Sequence, residues 1–165
     1  DNSIYLGIKK FGKFTNKLAN LKTNTQIWID GPYGEFTQNI EKSGSSILFA
    51  AGIGITPFIN NLTKLNNSIL FFSNQNQDTA VFIKTLRKRL GYRLIEIYSD
   101  DSESPNYKNI YSNTLITKQI ITNHINISNE NKYYLCGPPA YMKNVREMLK
   151  ELGVNNNIFS EDFSL

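Results

Sequence analysis

The sequence contains few of the residues that build disulfide-linked or metal-held folds. Its 165 residues include one cysteine, Cys136, and one histidine, His124. A single cysteine excludes an internal disulfide, and the shortage of thiolate and imidazole groups argues against a zinc or cysteine-rich metal site. No apolar run approaches the roughly 20 residues of a membrane-spanning helix, and the first residues lack a signal-peptide pattern. We therefore expect a soluble domain that depends on its hydrophobic core for stability.

The net charge is modestly positive, at +4. Basic residues concentrate in two segments, with Lys9, Lys10, Lys13, Lys17 and Lys22 in the first and Lys84, Arg87, Lys88 and Arg89 in the second. A solvated helix face accounts for the second cluster, and an anionic cofactor or a membrane surface is the more specific alternative. Aromatic residues are not interleaved with these charges, so we expect no nucleic-acid partner.

Residues 47–58 have the pattern of a phosphate-binding turn. A continuous apolar run over 47–51 is typical of a buried parallel strand. Gly52 and Gly54 allow a sharp turn and remove side chains that would block a ligand. Thr56 is a favourable N-cap and Pro57 suits the first helical position, so the helix that follows would point free N–H groups at an anion. The alternative is a glycine turn that only packs a helix on a strand.

Strand and helix patterns alternate from residue 47 to the end of the chain. We predict strands over 47–51, 69–73, 93–98, 132–135 and 157–159. We predict helices over 57–65, 79–90, 117–124 and 139–152, and a mobile polar loop over 100–113. This alternation indicates an α/β fold, with a parallel sheet covered by helices on both faces. Ligands of such sheets bind beyond the carboxyl ends of the strands.

The segment before residue 37 has a different pattern. We predict strands over 4–9 and 25–30, with a short helix over 15–21 that Thr15 caps. Two or three strands do not make an independent domain. We therefore expect the tail of a barrel in a piece of a longer protein, and place domains at 1–42 and 43–165.

A second strand end with a glycine lies within residues 133–142. Here an apolar strand ends in Cys136 and Gly137, and a pair of prolines opens a helix. If this end faces the same crevice as the first turn, Cys136 lies beside the bound ligand, where a small polarizable thiol suits a planar ring. The alternative is an inert buried cysteine, the commonest state of this residue.

In this order, the motifs resemble the C-terminal part of the ferredoxin–NADP reductase superfamily, the flavin-dependent dehydrogenases. The segments that carry the resemblance are Gly12-Lys13-Phe14-Thr15, Asp30-Gly31-Pro32-Tyr33-Gly34, Gly52-Ile53-Gly54-Ile55-Thr56-Pro57-Phe58, Cys136-Gly137-Pro138 and Glu161-Asp162-Phe163. The first two are most similar to the ferric reductase and NADPH oxidase branch. The resemblance implies a five-stranded parallel sheet of order 3-2-1-4-5, preceded by the last strands of an antiparallel flavin-binding barrel.

The resemblance also implies a reaction and the residues that serve it. NAD(P)H would pass a hydride to FAD, and single electrons would then pass to a haem or another acceptor. Cys136, Glu161 and Phe163 would border the reacting rings. The implied cofactor contacts are Gly12, Phe14, Thr15, Gly52, Gly54, Ile55, Thr56, Pro57, Ser73, Asn74, Cys136, Gly137, Pro138, Met142 and Phe163.

Some features of the sequence refine what the resemblance implies. The family's main flavin-binding motif is absent from this chain, so we expect an incomplete FAD site. Gln75 and Asn76 stand where NADPH-using members carry a basic residue, which favours NADH, although Lys84 or Arg87 could reach a 2′-phosphate. The ferric reductase branch implies a haem-bearing transmembrane domain ahead of this segment and a place on the cytoplasmic face of a membrane.

Two functions of other classes stay open on the sequence alone. The chain could be a non-catalytic nucleotide-binding module that senses NAD(P)H for a partner. It could also be a basic adaptor that docks on acidic lipid or protein through the lysines of its first segment.

Overall fold

The structure, a computed structural model, describes residues 4, 6–31, 33–37, 40, 45–62, 67–101 and 108–161. The chain forms two compact units, Asp1–Glu35 and Phe36–Leu165.

Among its described residues, the first unit contains one helix, α1, over Gly12–Leu18. Its described residues include no strand, so the strands predicted over 4–9 and 25–30 are wrong there. Both segments are rich in apolar residues, but a strand also needs a neighbour for its backbone hydrogen bonds, and the described part of the unit supplies none. None of its described residues is buried, and its exposed large apolar side chains are Ile4, Leu6, Ile8, Phe11, Phe14, Leu21, Ile27, Trp28, Ile29 and Tyr33.

The second unit is a parallel sheet with helices between its strands. The strands are β1 (Ser46–Ala51), β2 (Ile69–Asn74), β3 (Leu94–Tyr98), β4 (Ile110–Tyr111), β5 (Lys132–Cys136) and β6 (Ile158–Glu161). The helices are α2 (Thr56–Ile59), α3 (Ile83–Leu90), α4 (Lys118–His124) and α5 (Pro139–Glu151). Short 3₁₀ turns over Gly52–Ile55 and Gly91–Arg93 precede α2 and β3.

The strand order is β4-β3-β2-β1-β5-β6, and every neighbouring pair is parallel. The predicted order 3-2-1-4-5 is present within it as β3-β2-β1-β5-β6, and β4 adds a sixth strand at the β3 edge. Part of the segment predicted as a loop therefore carries β4, which pairs Ile110 with Glu96 and Tyr111 with Ile97. A strand of two residues leaves no periodic signal in the sequence.

Two hydrophobic layers cover the two faces of this sheet. Alternate residues of β1 enter opposite layers, because successive side chains of a strand point to opposite faces. Leu48 and Ala50 join the layer that contains Phe58 and Leu86 from the α2 and α3 side. Ile47 and Phe49 join the layer formed with α4 and α5. All six residues of β1 are buried, as the continuous apolar run predicts.

Capping side chains and backbone conformation determine where several helices begin. Thr117 is the N-cap of α4, and its Oγ1 accepts a hydrogen bond of 3.2 Å from the N–H of Ile120. The helix predicted over 79–90 begins later, at Ile83, because Phe82 has a left-handed backbone with φ of 61°. The prediction for α5 is right to within one residue.

Candidate nucleotide-binding edge

The carboxyl ends of all six strands lie along one edge of the sheet, because every strand pair is parallel. The register fixes which residues are neighbours there. Ala51 pairs with Ser73, and Asn74 pairs with Tyr98. Cys136 pairs with Glu161 on one side, and with Ala50 on the other. Four of the predicted site residues, Ser73, Asn74, Cys136 and Glu161, are thus brought to a single edge.

The turn after β1 meets the end of β5. A Cβ atom placed on Gly54 would stand 2.2 Å from the carbonyl oxygen of Cys136 and 2.8 Å from the Cα of Gly137. The two motifs are about 80 residues apart in the chain, and the predicted approach of one to the other is present in the structure. The shared edge therefore holds both the glycine turn and the cysteine motif.

The two glycines of the turn have different surroundings, and only Gly54 departs from the predicted role. Gly54 is buried against the backbone of β5, so its missing side chain allows loop packing and not ligand approach. Gly52 has a left-handed φ of 54°, and a Cβ atom there would meet nothing within 4 Å. Gly52 is therefore the glycine whose open side is available to a ligand.

Thr56 is not the N-cap of the helix that follows the turn. That position belongs to Ile55, and Thr56 and Pro57 are the first two residues of α2. The Thr56 hydroxyl donates a 3.0 Å hydrogen bond to the carbonyl of Ile53, because the 3₁₀ turn places that carbonyl within its reach. Both Thr56 and Pro57 keep partly exposed side chains at the turn.

The Cys136 side chain is fully buried, with 0% exposure, in the layer on the α2 and α3 side of the sheet. Glu161 is half-buried at the end of β6, beside Cys136 in register. Phe163, predicted to cover the flavin, lies outside the described residues. The structure thus places Glu161 next to Cys136 and leaves the role of Phe163 a prediction.

Tyr141 links the ends of β5 and β2, and the sequence did not single it out as a site residue. Its ring lies 3.1 Å from the position of a Cβ on Gly137, and its hydroxyl accepts a 3.4 Å hydrogen bond from Ser73. Burial raises the pKa of the Tyr141 phenol, so this hydroxyl stays neutral. The available signal was its place in the first turn of α5, directly after the cysteine motif.

Three other predicted cofactor contacts lie either in the hydrophobic core or on the protein surface. Ile55 is fully buried and Met142 nearly so, each inside one hydrophobic layer. Their side chains therefore pack in the protein interior. Pro138 is exposed at the N-cap of α5.

The end of β2 carries a polar group without a partner. Both side-chain atoms of the Asn74 amide are buried, and neither has a hydrogen-bond partner in the described part of the chain. The same holds for the hydroxyl of Ser112, just after β4. Buried polar groups are nearly always hydrogen-bonded, so an unpartnered amide at a ligand-binding edge is a candidate ligand contact.

Arg87, one of the two cations predicted to reach a 2′-phosphate, is already paired. Its Nε and Nη2 each donate a 2.8 Å hydrogen bond to a different carboxylate oxygen of Glu96, which is buried in β3. The Tyr98 hydroxyl donates to the same carboxylate. A bidentate pair with a buried carboxylate fixes the guanidinium in place.

In the first unit, the predicted flavin contacts Gly12, Phe14 and Thr15 lie in α1. Phe14 is exposed, and Gly12 has a left-handed φ of 82°. The N-cap of α1 is Phe11, so the prediction that Thr15 caps this helix is wrong. Instead, the Thr15 hydroxyl accepts from the Phe11 N–H and donates to the Phe11 carbonyl, both at 2.6 Å.

A parallel sheet with both faces covered, and with a glycine turn and an unpartnered amide at its carboxyl edge, is typical of nucleotide-binding α/β domains. Comparison with known proteins gives the family. Residues 48–147 match the family model described as the oxidoreductase NAD-binding domain. The chain belongs to this family, within the ferredoxin–NADP reductase superfamily.

Three known proteins illustrate the similarity. A probable dihydroorotate dehydrogenase B (NAD(+)) electron transfer subunit from Pyrococcus furiosus is 29% identical over 87% of this chain and 53% of its own length. The cytochrome b5 reductase domain of Ulva prolifera nitrate reductase has a TM-score of 0.74 and 19% identity, covering 91% of this chain and 66% of that one. A ferredoxin NADP+ reductase from Neisseria gonorrhoeae with bound FAD and NADP has a TM-score of 0.72 and 16% identity, covering 93% of this chain and 70% of that one.

The chain spans about half the length of the Pyrococcus relative. Among the described residues, no helix combines the length and the hydrophobicity needed to cross a membrane.

Proposed function

We propose that this chain binds NAD(P)H at the carboxyl edge of its sheet and serves an FAD-dependent oxidoreductase. The observation that carries the proposal is the contact of Gly54 with the Cys136 backbone, which joins the two motifs at one edge. The family match and the FAD and NADP bound to the Neisseria reductase support the same function. When bound, FAD would accept a hydride as an electron pair and release the electrons singly.

Each part of a bound dinucleotide would have its own contacts along the carboxyl edge of the sheet. Gly52, with its open side, and Thr56 would hold the pyrophosphate at the start of the 3₁₀ turn and α2. Asn74 would bond the ribose on the adenine side, where its unpartnered amide can both donate and accept. Cys136 and Gly137 would border the nicotinamide. These groups bind and orient the nucleotide, because hydride transfer needs no acid or base from the protein.

We propose further roles for the two residues at the end of the chain. Glu161, next to Cys136 in register, would orient the nicotinamide or shield developing charge. Phe163 would lie over the flavin until the nicotinamide displaces it.

We also propose that the first unit completes its fold against further barrel strands. None of its described residues is buried, and Trp28 is 92% exposed. Such a surface is larger than isolated apolar residues on a monomer explain, and the alternating apolar residues at 4, 6 and 8 suit a strand that gains a neighbour. In this proposal residues 1–42 are the last part of a flavin-binding barrel, and Gly12, Phe14 and Thr15 contact FAD.

For the whole protein we propose a ferric reductase-like assembly, in which electrons pass from FAD to a haem-bearing transmembrane domain. The chain would then lie on the cytoplasmic face of that membrane. The resemblance of residues 12–15 and 30–34 to this branch supports the assignment. The Ulva neighbour, a cytochrome b5 reductase domain, supports a haem protein as the class of acceptor.

Anaerobic mixing of the intact protein, loaded with FAD, with NADH tests the proposed function. We expect the flavin absorbance near its visible maximum to bleach within one turnover. A Cys136→Ala variant tests the role of the thiol itself, which has no exposed surface in the structure. Slower bleaching with nearly unchanged NADH affinity would show that the thiol aligns the nicotinamide, and an unchanged rate would show that it only packs in the core. Persistent flavin colour with NADH bound would instead favour a nucleotide sensor, and absence of NADH binding would contradict the proposal.

A further inference from the structure

Residues 79–95 include five basic residues and no acidic one. They contain α3, which buries Leu86 and Leu90 in the hydrophobic layer on its side of the sheet. Because a helix has about 3.6 residues per turn, the side chains at 84, 85, 88 and 89 lie on the outward face of α3, and all four are exposed. We call these four residues the α3 basic face: Lys84, Thr85, Lys88 and Arg89.

The protein itself holds two of the five basic residues. Arg87 forms its bidentate pair with the buried Glu96 carboxylate. The Arg93 guanidinium donates hydrogen bonds to two backbone carbonyls, at 3.4 and 3.5 Å. The three cations of the α3 basic face differ, because no carboxylate in the described part of the chain lies within ion-pair distance of them. The α3 basic face therefore presents three unmatched positive charges within two helical turns.

The helix dipole accounts for only part of this charge. Cations in the last turn of a helix stabilise it, which gives Lys88 and Arg89 a structural role. Lys84 is the second residue of α3, where the dipole disfavours a cation, and the first turn has no acidic residue to offset it. Lys84 also precedes Lys88 by one turn, with Cβ atoms about 6 Å apart, and like charges at this spacing destabilise a helix. Folding therefore does not favour the charge of Lys84, whereas an anionic partner would.

Exposed aromatic side chains lie at both ends of α3. Phe82 is the N-cap of this helix and is 45% exposed, and its backbone is left-handed, with φ of 61°. This conformation is unfavourable for a bulky residue, and such strain is most often retained where it serves a function. Tyr92 follows α3 and is 83% exposed. Aromatic rings beside basic residues are typical of protein surfaces that contact the headgroup region of a membrane.

We propose that the α3 basic face binds the anionic lipid headgroups of a membrane, with the Phe82 and Tyr92 rings between the headgroups. The inference rests on the proposed function, in which the chain lies on the cytoplasmic face of a membrane. That leaflet is negatively charged, and clusters of about four to eight Lys and Arg residues on a helix are typical of proteins that bind it. The outward face of a helix is convex, so fluid headgroups can cover it, whereas an acidic protein would need a matching groove. This geometry favours lipid as the anionic partner.

Partition of the full chain onto lipid vesicles, measured by sedimentation, tests the inference. Vesicles of phosphatidylcholine with about 30% phosphatidylserine provide the negative charge, and we expect them to bind the chain at least about tenfold more strongly than vesicles of phosphatidylcholine alone. The neutral vesicles measure uptake by the exposed apolar residues of the first unit. Removal of one lysine near a charged surface should weaken binding about fivefold, so the double variant Lys84→Gln and Lys88→Gln should bind about 20-fold more weakly.

A matched control removes two lysines from the opposite face of the sheet. Lys143 and Lys150 are exposed on α5, which packs in the other hydrophobic layer. The double variant Lys143→Gln and Lys150→Gln has the same net charge as the α3 variant, and its partition should change by less than about twofold. If the control weakens binding as much as the α3 variant does, the vesicles respond to the net charge of the chain, and the inference fails.

A Phe82→Gly variant tests the aromatic contact. Glycine adopts a left-handed backbone without strain, so α3 should begin at the same residue. We expect the charged vesicles to bind this variant about fivefold more weakly, because a half-exposed phenyl ring is no longer withdrawn from water. Unchanged partition would overturn the placement of this ring between the headgroups.

Salt dependence provides a second readout. Because salt screens the attraction, partition onto the charged vesicles should fall steeply as salt rises from about 0.1 to 0.5 M. Partition that does not respond to salt, or equal uptake by both kinds of vesicle, would overturn the inference. Retention on immobilised polyglutamate without binding to either vesicle would assign the α3 basic face to an acidic protein, and would also overturn it.

Calorimetry with NADH separates this inference from the proposed function. If the unmodified chain does not bind NADH, the proposed function fails, whatever the vesicles show. If it binds NADH and the charged vesicles do not bind the chain, only the inference fails.

Discussion

Gly54 and Cys136 are in direct contact across the sheet edge, although 81 residues separate them in the chain. A Cβ atom on Gly54 would lie 2.2 Å from the Cys136 carbonyl oxygen and 2.5 Å from its carbonyl carbon. Both contacts are with the backbone of β5, which pairs directly with β1. This contact packs the glycine turn directly against the cysteine motif.

We predict that Gly54→Ala destabilises the protein by about 3 kcal/mol, because the added methyl group must displace the β5 backbone. Gly52→Ala should cost about 1 kcal/mol, because its methyl group meets open space but adopts a left-handed backbone. Urea unfolding of both variants measures the difference. Equal destabilisation by the two substitutions would show that the Gly54 contact is less tight than the structure indicates.

We predict that the Cys136 thiol reacts with an aromatic disulfide reagent only when the protein opens. Its side chain has no exposed surface in the folded state. The labelling rate should therefore follow the equilibrium population of the opened state and rise steeply with urea. A Cys136→Ser variant identifies background labelling. Labelling of the native protein at the rate of a small free thiol would contradict the burial of this residue.

We predict that Arg87→Met destabilises the second unit by about 2 kcal/mol. The substitution keeps the aliphatic stem but leaves the buried Glu96 carboxylate without its cation. The value lies below that of a fully buried pair because the Arg87 side chain is 42% exposed. Thermal or urea unfolding at neutral pH measures it. Lys88→Met, on the exposed part of the same helix, is the control and should change stability by less than about 0.5 kcal/mol.

We predict that the unfolding free energy decreases as the pH falls below about 6.5, and that His124 contributes to this slope. Burial, with a smaller effect from Lys108, lowers the pKa of His124. The unfolded chain, with a histidine pKa of about 6.5, therefore binds a proton at a higher pH than the folded protein does. Folding thus favours the neutral imidazole of His124. Its contribution to the unfolding free energy is present above a pH of about 6.5 and is lost as the pH falls toward the lower pKa of the folded state.

The Tyr111 hydroxyl lies 2.9 Å from His124 Nε2 and can donate only to a neutral ring. His124→Asn should therefore flatten the pH dependence of unfolding between about pH 7.5 and 5, whereas Tyr111→Phe should lower stability above that range. Parallel pH profiles of the unmodified protein and the His124→Asn variant would show that His124 does not contribute to the slope.

Five of the six strands of the second unit are predictable from the sequence, because each carries its own signal. The run 47–51 is apolar throughout and ends in glycine, and the helix at 139–152 begins with proline and keeps one apolar stripe, so both were placed to within a residue. The two-residue strand β4 was missed, because its existence depends on pairing with β3. The strands predicted at 4–9 and 25–30 are wrong for the same reason, since no strand lies beside them among the residues that the structure describes.

Some residues of the candidate site are predictable from the local sequence, whereas others are placed there only by contacts between distant segments. The glycine turn, the cysteine motif and Asn74 were found from the sequence because each follows directly after a recognisable strand. Tyr141 was missed although it lies beside the motif, since only the packed helix shows that its ring reaches Gly137 and Ser73.

By itself, the sequence determined the α/β class, the parallel sheet and the positions of the two turns at strand ends. Local hydrophobic periodicity and turn chemistry specify these features, and both can be read within a window of about 10 to 18 residues. The tertiary structure alone decided that Gly54 packs against Cys136, that Gly52 is open, and that Glu96 neutralises Arg87. These outcomes depend on which distant segments become neighbours in the sheet, and that pairing is set by the packing of the whole core.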